Sequence, residues 1–284
     1  MKKLNSLTPD VLHILKDKGT EAPFSGKYTD EIKNGSYLCR GCGAVLFRSN
    51  SQFHSGCGWP SFDNEIKDAI QRKMDSDDRR TEIVCANCLG HLGHVFVGEK
   101  MTASNQRHCV NSQALEFVPN AIVTKTDEAI VAGGCFWGVQ YLLDQLPGVL
   151  LTEAGYTGGI TDNPTYENVC SHNTHHVEAV RVIFDAKKLS YETILKYFFE
   201  IHDPTQVDGQ GPDIGSQYRS CIFYFDDHQK TCAVNVIQQL KELNCAIATT
   251  LKPVSIFWKA EDDHQHYYEK NKKVPYCHRY TKRF

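Results

Sequence analysis

The sequence predicts a two-domain α+β chain, because its two halves differ in the periodicity of their apolar residues. The N-terminal half is rich in turn residues and short on long helical patterns, which is typical of a mainly β domain. The C-terminal half combines helix-period segments with short apolar strands, which is typical of a mixed sheet flanked by helices. At 284 residues, the chain is long enough for each half to bury its own core.

Local signals predict the individual elements. One opening helix should begin with Thr8 as N-cap and Pro9 at the first position, and end near Gly19. In the second half, 129–132 reads as a short buried strand, and a helix follows over 137–146. Further predicted elements are helices at 190–199, 227–243 and 262–270, and strands at 177–184 and 220–225.

Composition and charge exclude several classes of protein. The 41% hydrophobic and 23% charged content is that of a soluble globular protein. The net charge of −3 offers no electrostatic footprint for nucleic acid or an anionic membrane. The first residues lack the apolar core of a signal peptide, and no apolar run reaches membrane-spanning length. We therefore expect a cytoplasmic protein without nucleic-acid or membrane partners.

Two CxxC pairs, Cys39/Cys42 and Cys85/Cys88, predict a structural zinc site. Paired knuckles of this kind supply four thiolates for tetrahedral zinc. A rival set is Cys85, Cys88, His91 and His94, but its histidine spacing is shorter than zinc fingers use. That set would also leave the first pair without a role. We therefore expect one zinc per chain, held by the four cysteines.

Residues 133–138 read Gly-Gly-Cys-Phe-Trp-Gly and make Cys135 a candidate nucleophile. A strand precedes the motif and a helix follows it, so the sulfur should lie near a helix N-terminus, where the dipole favours a thiolate. The alternative is a buried structural cysteine, the usual fate of a free thiol. Phe136 and Trp137 argue against it, since two aromatic rings beside a tight turn are suited to enclosing a small apolar pocket.

The second half resembles the A-type peptide methionine sulfoxide reductases. The resemblance rests on the Cys135 motif followed, in the family's order, by Gly-Tyr-Thr-Gly-Gly at 155–159, Asn-Pro-Thr-Tyr-Glu-Asn-Val-Cys at 163–170, His-Val-Glu at 176–178, His-Asp-Pro-Thr at 202–205 and Gln-Gly-Pro-Asp-Ile-Gly-Ser-Gln-Tyr-Arg at 210–219. This order is far more specific than any one of the motifs.

Sulfoxide reduction needs a thiolate, a proton donor for the oxygen and a holder for the S-methyl group. Cys135 would be the thiolate. Glu178 is the best candidate acid, since burial beside aromatic rings raises the pKa of a carboxyl group. The resemblance implies that three further residues bind the sulfoxide oxygen or its water, and that two aromatic residues enclose the methyl group. These are Tyr166, Asp213 and Tyr218, and Phe136 and Trp137.

The first half resembles the B-type reductases in their zinc-containing form, over about residues 5 to 118. The shared segments are Ser-Gly-Cys-Gly-Trp-Pro-Ser-Phe at 55–62, the two CxxC pairs, His-Leu-Gly-His-Val-Phe at 91–96 and Arg-His-Cys-Val-Asn-Ser at 107–112. The resemblance implies an antiparallel, barrel-like sheet here and a mixed sheet with helices in the second half.

In the B-type half, Cys109 would attack, and Arg107 would favour its thiolate. His91 and His94 are candidate proton donors. The resemblance adds Asn111 as an orienting hydrogen bonder and Trp59 as the wall for the methyl group.

Attack leaves a cysteine sulfenic acid, which a second thiol resolves to a disulfide that an external dithiol must reduce. Cys57 is the expected partner of Cys109, on a Gly-Cys-Gly loop. Cys277 is the expected partner of Cys135, with Cys170 as the alternative. Thioredoxin is the family's usual reductant.

The chain therefore looks like a fusion, with a B-type domain at 1–119, a linker at 120–126 and an A-type domain at 127–284. Each type reduces one sulfur epimer, so we expect the N-terminal domain to reduce the R-sulfoxide and the C-terminal domain the S-sulfoxide, free or in peptides. Two other classes of protein would explain part of the sequence. A zinc-ribbon module for nucleic acid predicts a clustered basic face and does not account for Cys109 or Cys135. A thiol peroxidase or disulfide oxidoreductase predicts a CxxC at the nucleophile, and neither of these cysteines has one.

Five positions in three segments depart from the family patterns. His172 and His175 stand where A-type proteins usually have glycine, before Glu178. Val97 and Gly98 stand where an acidic residue commonly follows the B-type His-Val-Phe, and His108 replaces an aromatic residue. These departures should affect substrate contacts and rate.

Overall fold

The computed structural model describes residues 7–30, 32–75, 79–119, 123 and 125–284. The chain divides into two units, Met1–Thr126 and Asp127–Phe284. Most of the predicted linker, 120–126, lies outside the described residues. No helix among them is long and apolar enough to cross a membrane.

The N-terminal unit consists of short strands and one helix over its described residues. The helix α1 spans Pro9–Leu15, with Thr8 at its N-cap as predicted, and it ends four residues before Gly19. The strands are β1 Gly35–Cys39, β2 Val45–Arg48, β3 Gln52–Phe53, β4 Ser61–Phe62, β5 Ile70–Met74, β6 Thr81–Cys85, β7 His91–Val97, β8 Gln106–Val110 and β9 Leu115–Pro119.

These strands form two antiparallel sheets, of order β2-β1-β9 and β3-β4-β8-β7-β6-β5. The mainly β prediction is confirmed for this unit. The barrel-like arrangement stays a prediction, because the ladders between described strands leave the two sheets separate. In the larger sheet, β8 runs between β4 and β7, so a residue of β8 is flanked on both sides by backbone that fixes its position.

The C-terminal unit alternates helices with strands. The helices are α2 Phe136–Asp144, α3 Tyr166–Cys170, α4 Tyr191–Ile201, α5 Asp227–Glu242 and α6 Tyr267–Lys270. The strands are β10 Thr126–Ala132, β11 Val149–Thr157, β12 Val177–Asp185, β13 Gly209–Gln210, β14 Asp213–Ile214, β15 Cys221–Tyr224, β16 Thr250–Pro253 and β17 Trp258–Lys259.

Six of these strands form a mixed sheet of order β16-β15-β10-β12-β11-β17, in which β15 and β16 are parallel. All nine residues of β12 are buried, as expected for an interior strand covered on both faces. The helix α4 is capped by Ser190, whose side chain accepts from the Thr193 amide, and it buries Ile194 and Phe198 in the core. The predicted mixed sheet flanked by helices is confirmed.

The sequence predictions for α4 and α5 are confirmed, but the predicted helix over 262–270 is wrong in its first half. The helix α6 begins only at Tyr267. The preceding His266 has φ 51°, in the left-handed region, which cannot continue a right-handed helix. The prediction failed because the spacing of apolar residues does not reveal a single residue with positive φ.

Candidate active sites and a candidate metal centre

The N-terminal candidate centre is built around Cys109 on β8. In the sheet, Cys109 lies opposite His94 of β7 and Ser61 of β4. The Sγ atom of Cys57 lies 3.6 Å from the Sγ atom of Cys109. The β7 position beside this pair is Gly93, where a Cβ atom would lie 2.1 Å from the Cys109 carbonyl oxygen. Only glycine therefore allows β7 to approach the Cys109 backbone this closely.

The two thiols share one ionisation, because a thiolate on one sulfur disfavours a second charge so close to it. Hydrogen bonding from Cys109, assisted by Ser55 and Ser61, lowers the pKa of Cys57 to about 4. The contact with Cys57, together with burial, raises the pKa of Cys109, and the Arg107 guanidinium opposes that rise. The pair thus favours one thiolate at a time.

A small cavity of about 110 Å³ opens beside Cys109. The residues that line it are Thr20, Trp59, Arg80, Gly93, His94, Phe96, Cys109, Val110 and Asn111. The Trp59 indole N–H donates to the Glu21 carbonyl oxygen at 3.1 Å, which holds the ring in place. The cavity thus combines an aromatic wall, a histidine and the predicted attacking thiol.

The two histidines of β7 have different surroundings. His94 reaches the cavity, and its Nε2 atom lies 2.6 Å from Asp75 Oδ2. His91 is buried, and its Nδ1–H donates to Glu82 at 2.8 Å. Burial lowers the pKa of His91, so the ring is neutral and its Nε2 atom carries a lone pair, with no hydrogen-bond partner among the described residues. His94 is therefore the better placed proton donor of the two.

Asn111 uses its amide group to tie two segments together. Its Nδ2 donates to the Leu92 carbonyl at 3.1 Å, and its Oδ1 accepts from the Glu21 amide at 3.1 Å. Glu21 in turn accepts from the Ser112 amide at 2.5 Å. Asn111 therefore lines the cavity while orienting the segment that carries Glu21, the hydrogen-bond acceptor for Trp59.

Glu99 lies three residues after the His-Val-Phe segment and pairs with Arg107 of β8. Its carboxylate accepts two hydrogen bonds from Arg107, at 2.8 and 2.9 Å. The Arg107 guanidinium also lies 4.5 Å above the Phe96 ring. A bidentate pair and a ring contact hold the guanidinium in one orientation. Sequence reasoning missed Glu99, because only the turn between β7 and β8 brings this carboxylate to Arg107.

We expect Glu99→Gln to lower the rate at which the N-terminal centre reduces sulfoxide by roughly 10-fold, because Arg107 loses the partner that orients it. Loss of the exposed half of this ion pair should cost only about 1 kcal/mol of stability or less. The pH profile of the N-terminal reaction should also move to higher pH, since the thiolate is less well supported. Glu99→Asp is the conservative control, and an unchanged pH profile in Glu99→Gln would contradict the positioning role.

His108, which replaces an aromatic residue, is buried beside the pair of thiols on the opposite face of β8. Its Nδ1 atom lies 3.0 Å from the Phe62 carbonyl, and its Nε2 atom pairs with Glu65. Arg72 contacts the same carboxylate at 2.9 Å. His108 thus combines a ring contact with Phe47 and a polar network, and it does not line the cavity.

The C-terminal candidate centre is built around Cys135, the N-cap residue of α2. The Glu178 side chain, on the interior strand β12, accepts a hydrogen bond from the Phe136 amide at 3.0 Å. Glu178 is 1% exposed, and burial, together with the nearby Cys135 sulfur, raises its pKa well above the usual range. A carboxyl group with a raised pKa thus contacts the first turn of the helix that begins at the thiol.

Cys277 lies close to Cys135 although the two are far apart in sequence. The sulfur atoms of both and a carboxylate oxygen of Asp213 all lie within 4.8 Å of one another. The contact with Cys277, together with burial, raises the pKa of Cys135. The Cys277 Sγ atom lies 3.1 Å from His278 Nδ1, and His278 Nε2 donates to the Gly133 carbonyl at 2.8 Å.

The glycines of the Cys135 motif make room for this arrangement. A Cβ atom at Gly138 would lie 2.3 Å from His278 Nδ1. Gly134 has φ 97°, and a Cβ atom there would lie 2.4 Å from Gln210. A side chain at either position would therefore displace the segment that carries Cys277 or the β13–β14 hairpin that carries Asp213.

Aromatic residues surround the sulfur. Phe136 is buried, and Trp137 stacks on Tyr267 at 3.8 Å between ring centroids. The Trp137 indole N–H donates to His264 Nδ1 at 3.1 Å, and the His264 ring lies 4.5 Å from that of Tyr166. Sequence reasoning missed His264 and Tyr267, although the run His-Gln-His-Tyr-Tyr at 264–268 was a visible signal of ring density.

Tyr166 and Tyr218 both face the acid. Burial, followed by the charge of Glu178, raises the pKa of each phenol, so both hydroxyl groups remain donors at neutral pH. Asp213 accepts from the Tyr276 hydroxyl at 3.2 Å, while its Oδ2 atom is buried without a hydrogen-bond partner among the described residues. The structure thus brings the predicted oxygen-binding residues together around Cys135 and Glu178.

The other cysteines of this unit lie elsewhere, apart from Cys170. Burial raises the pKa of Cys170, which also hydrogen-bonds Tyr166 and so lies at the rim of the centre. Cys221 is buried in the sheet, and Cys232 and Cys245 pack against the main core. These three positions fit a core-packing role.

The two histidines that replace glycine before Glu178 adopt the conformation that glycine favours. His172 has φ 64° and His175 has φ 58°, both in the left-handed region. Such a conformation costs a residue with a Cβ atom roughly 1–2 kcal/mol. Glu178 nevertheless remains hydrogen-bonded to the α2 N-terminus, because β12 fixes its position from the other side.

The four cysteines of the CxxC pairs form a buried cluster. Their sulfur atoms all lie within 4.8 Å of one another, with Cys39 and Cys88 at 3.6 Å and Cys42 and Cys85 also at 3.6 Å. A tetrahedral ion with Zn–S bonds of about 2.3 Å separates its sulfur ligands by about 3.8 Å. The cluster therefore fits a zinc ion, and His91 and His94 lie outside it, beside Glu82 and Asp75.

Comparison with known proteins assigns each half of the chain to a reductase family. The family model described as peptide methionine sulfoxide reductase matches residues 127–284, and the SelR domain model matches residues 7–119. Peptide methionine sulfoxide reductase MsrA of Methanosarcina mazei is 45% identical over 61% of this chain and 82% of its own. MsrA of Natronomonas pharaonis is 46% identical over 54% of this chain and 87% of its own.

A solved structure supports the fold of the second unit. Mxr1 from Saccharomyces cerevisiae in reduced form matches with a TM-score of 0.51 and 30% identity, over 54% of this chain and 89% of that chain. Since the two family models cover nearly all of the described residues, the chain belongs to the peptide methionine sulfoxide reductases, with a B-type SelR domain followed by an A-type domain.

Proposed function

We propose that Cys109 and Cys135 are the nucleophiles of two separate centres, one for each sulfoxide epimer. As a fusion of both reductase types, the chain reduces methionine sulfoxide to methionine at the expense of thiols, with the R-epimer reduced by the N-terminal domain and the S-epimer by the C-terminal domain. The single observation that carries the assignment is a second thiol beside each nucleophile, Cys57 at 3.6 Å and Cys277 within 4.8 Å.

In the C-terminal centre, Glu178 donates a proton to the sulfoxide oxygen while the Cys135 thiolate attacks sulfur. Oxygen passes to the cysteine, so the products are methionine and a Cys135 sulfenic acid. The raised pKa of Glu178 supports this role, because the acid keeps its proton at neutral pH. Tyr166, Tyr218 and Asp213 bind the polar oxygen, and Phe136 and Trp137 enclose the methyl group.

In the N-terminal centre, one proton transfer from Cys109 to Cys57 across their 3.6 Å contact gives the attacking thiolate. Arg107, oriented by Glu99, supports that charge. His94 donates the proton to the sulfoxide oxygen, while the buried His91 packs behind it at 5.5 Å between rings. Trp59 forms the wall for the methyl group and Asn111 orients the cavity.

Each sulfenic acid condenses with its neighbouring thiol, releasing water and forming a disulfide. We propose Cys57 and Cys277 as the resolving thiols, with Cys170 as the alternative in the second centre. An external dithiol such as thioredoxin then reduces each disulfide. A reducing compartment, such as the cytoplasm, suits a cycle that starts from free thiols.

We further propose that Cys39, Cys42, Cys85 and Cys88 hold one structural zinc ion. Four sulfur ligands close its coordination sphere, so the ion supplies folding energy and no chemistry. It would tie β1 to the β6–β7 turn within a barrel-like domain at 1–119. The linker 120–126 would join that domain to the A-type domain at 127–284.

Disulfide mapping of the wild-type chain tests the assignment of both centres. Fully reduced protein is incubated without reductant with one pure epimer of a blocked methionine sulfoxide, and then alkylated and digested. We expect each epimer to yield about one methionine per chain. The R-epimer should produce the Cys57–Cys109 disulfide, and the S-epimer the Cys135–Cys277 disulfide.

The control is Cys170→Ser, in which the S-epimer should still produce the Cys135–Cys277 disulfide. A Cys135–Cys170 product in the wild-type chain would replace Cys277 by Cys170 as the resolving thiol. If both epimers oxidised the same pair of cysteines, the assignment of one centre to each epimer would fail.

A further inference from the structure

The C-terminal centre contains a second group of side chains arranged like metal ligands. Within the described residues, sets of at least three cysteine, histidine or acidic ligand atoms that could hold an ion occur at two places. One is the four-cysteine cluster. The other consists of the Cys135 and Cys277 sulfurs and an Asp213 carboxylate oxygen, all within 4.8 Å of one another.

The ligand types suit a soft or borderline cation. Two thiolates and a carboxylate match the ligands of zinc and its heavier relative cadmium, whereas magnesium and calcium prefer oxygen alone. A zinc ion bound to two sulfurs separates them by about 3.8 Å, so a shift of about 1 Å or less closes the site. Three protein ligands leave one tetrahedral position open to water.

The Asp213 carboxylate and the His278 ring both present acceptor atoms at this site. The Asp213 Oδ2 atom is buried and lacks a hydrogen-bond partner among the described residues, so a lone pair remains unused. The His278 Nε2 atom donates to the Gly133 carbonyl, which leaves Nδ1 as an acceptor, 3.1 Å from the Cys277 thiol.

We propose that the reduced C-terminal centre binds one zinc or cadmium ion through Cys135, Asp213 and Cys277, and that the bound ion blocks reduction of the S-sulfoxide. Binding exchanges two thiol protons for the divalent cation, with no change in oxidation state. Both sulfurs are then unavailable for attack or for disulfide formation. The proposal goes beyond the reductase activity, because it makes that activity respond reversibly to the free-metal concentration.

The N-terminal centre offers a comparison within the same chain. The Cys57 and Cys109 thiols are also paired, but the nearby charge is the Arg107 guanidinium, which repels a cation. No third ligand from the described residues joins that pair in a metal-like group. We therefore expect inhibition to be confined to the S-epimer.

Metal stoichiometry provides the test. Protein that carries its structural zinc is reduced, freed of reductant and titrated with zinc against a chromophoric chelator. The reduced chain should hold about two zinc ions, and the chain oxidised by the S-epimer about one. A single turnover with the S-epimer should be lost as the second ion binds, while a single turnover with the R-epimer is retained.

Variants assign the ligands. Cys277→Ser and Asp213→Asn should each weaken the second zinc at least about 10-fold, as measured by chelator competition rather than by turnover. Cys170→Ser is the matched control and should bind two ions like the wild type. Binding of only one zinc by the reduced wild type, or an undiminished second zinc in the oxidised chain or in Cys277→Ser, would overturn the proposal. Disulfide mapping in metal-free solution remains interpretable in either case, so the two proposals fail separately.

Discussion

Cys85→Ser is expected to unfold the N-terminal unit and to abolish reduction of the R-epimer, while the C-terminal unit keeps its fold and its activity toward the S-epimer. The four sulfurs lie within 4.8 Å of one another in the buried core that contains Cys39, Cys42 and Leu46. Structural zinc sites contribute about 10 kcal/mol or more to folding, which equals or exceeds the net stability of most domains.

Calorimetry and circular dichroism would measure this effect as the loss of one of two unfolding transitions. A strong zinc chelator should remove the same transition from the wild-type chain, and re-added zinc should restore it. Cys57→Ser is the matched control, because it replaces a cysteine of the same unit outside the cluster and should leave the transition in place. A normal transition in metal-stripped protein would contradict the structural zinc site.

The sequence was sufficient to nominate candidate thiols for both centres. Short motifs identify Cys109 and Cys135 because glycines and aromatic residues flank them within a few positions. The need for resolving thiols follows from chemistry, since a sulfenic acid needs a second sulfur to form a disulfide. The structure places Cys57 and Cys277 beside these two thiols, while their roles in the cycle remain predictions.

The partners of the predicted residues could not be derived from the sequence. Three carboxylates reach their partners only through the pairing of β5, β6, β7 and β8. These pairs are Glu99 with Arg107, Glu82 with His91 and Asp75 with His94. That pairing depends on strand register, and a shift of one residue would turn each side chain to the other face. The contact of Trp137 with Tyr267 likewise depends on the turn at His266. The partners of these residues therefore depend on contacts between segments distant in sequence, which short motifs do not specify.

Glu178→Gln is expected to lower reduction of the S-epimer by roughly 100-fold to 10,000-fold, the usual contribution of a general acid. Glutamine keeps an oxygen that can accept the Phe136 amide, so the α2 N-terminus should remain in place. Burial raises the pKa of Glu178, and wild-type activity should therefore decline at alkaline pH as the acid loses its proton. The variant should lack that decline, and its R-epimer activity should equal that of the wild type.

The same substitution should stabilise the C-terminal unit, and the gain should grow with pH. Because the pKa of Glu178 is higher in the folded than in the unfolded state, folding takes up a proton above about pH 4.5, and the wild type loses stability until the pH passes the folded pKa. Glutamine removes this dependence. Unfolding midpoints at about pH 5 and about pH 8 measure the difference between the two proteins. A gain that did not increase between these pH values would show that the carboxyl group is ionised in the folded protein, and a general-acid role for Glu178 at neutral pH would then be excluded.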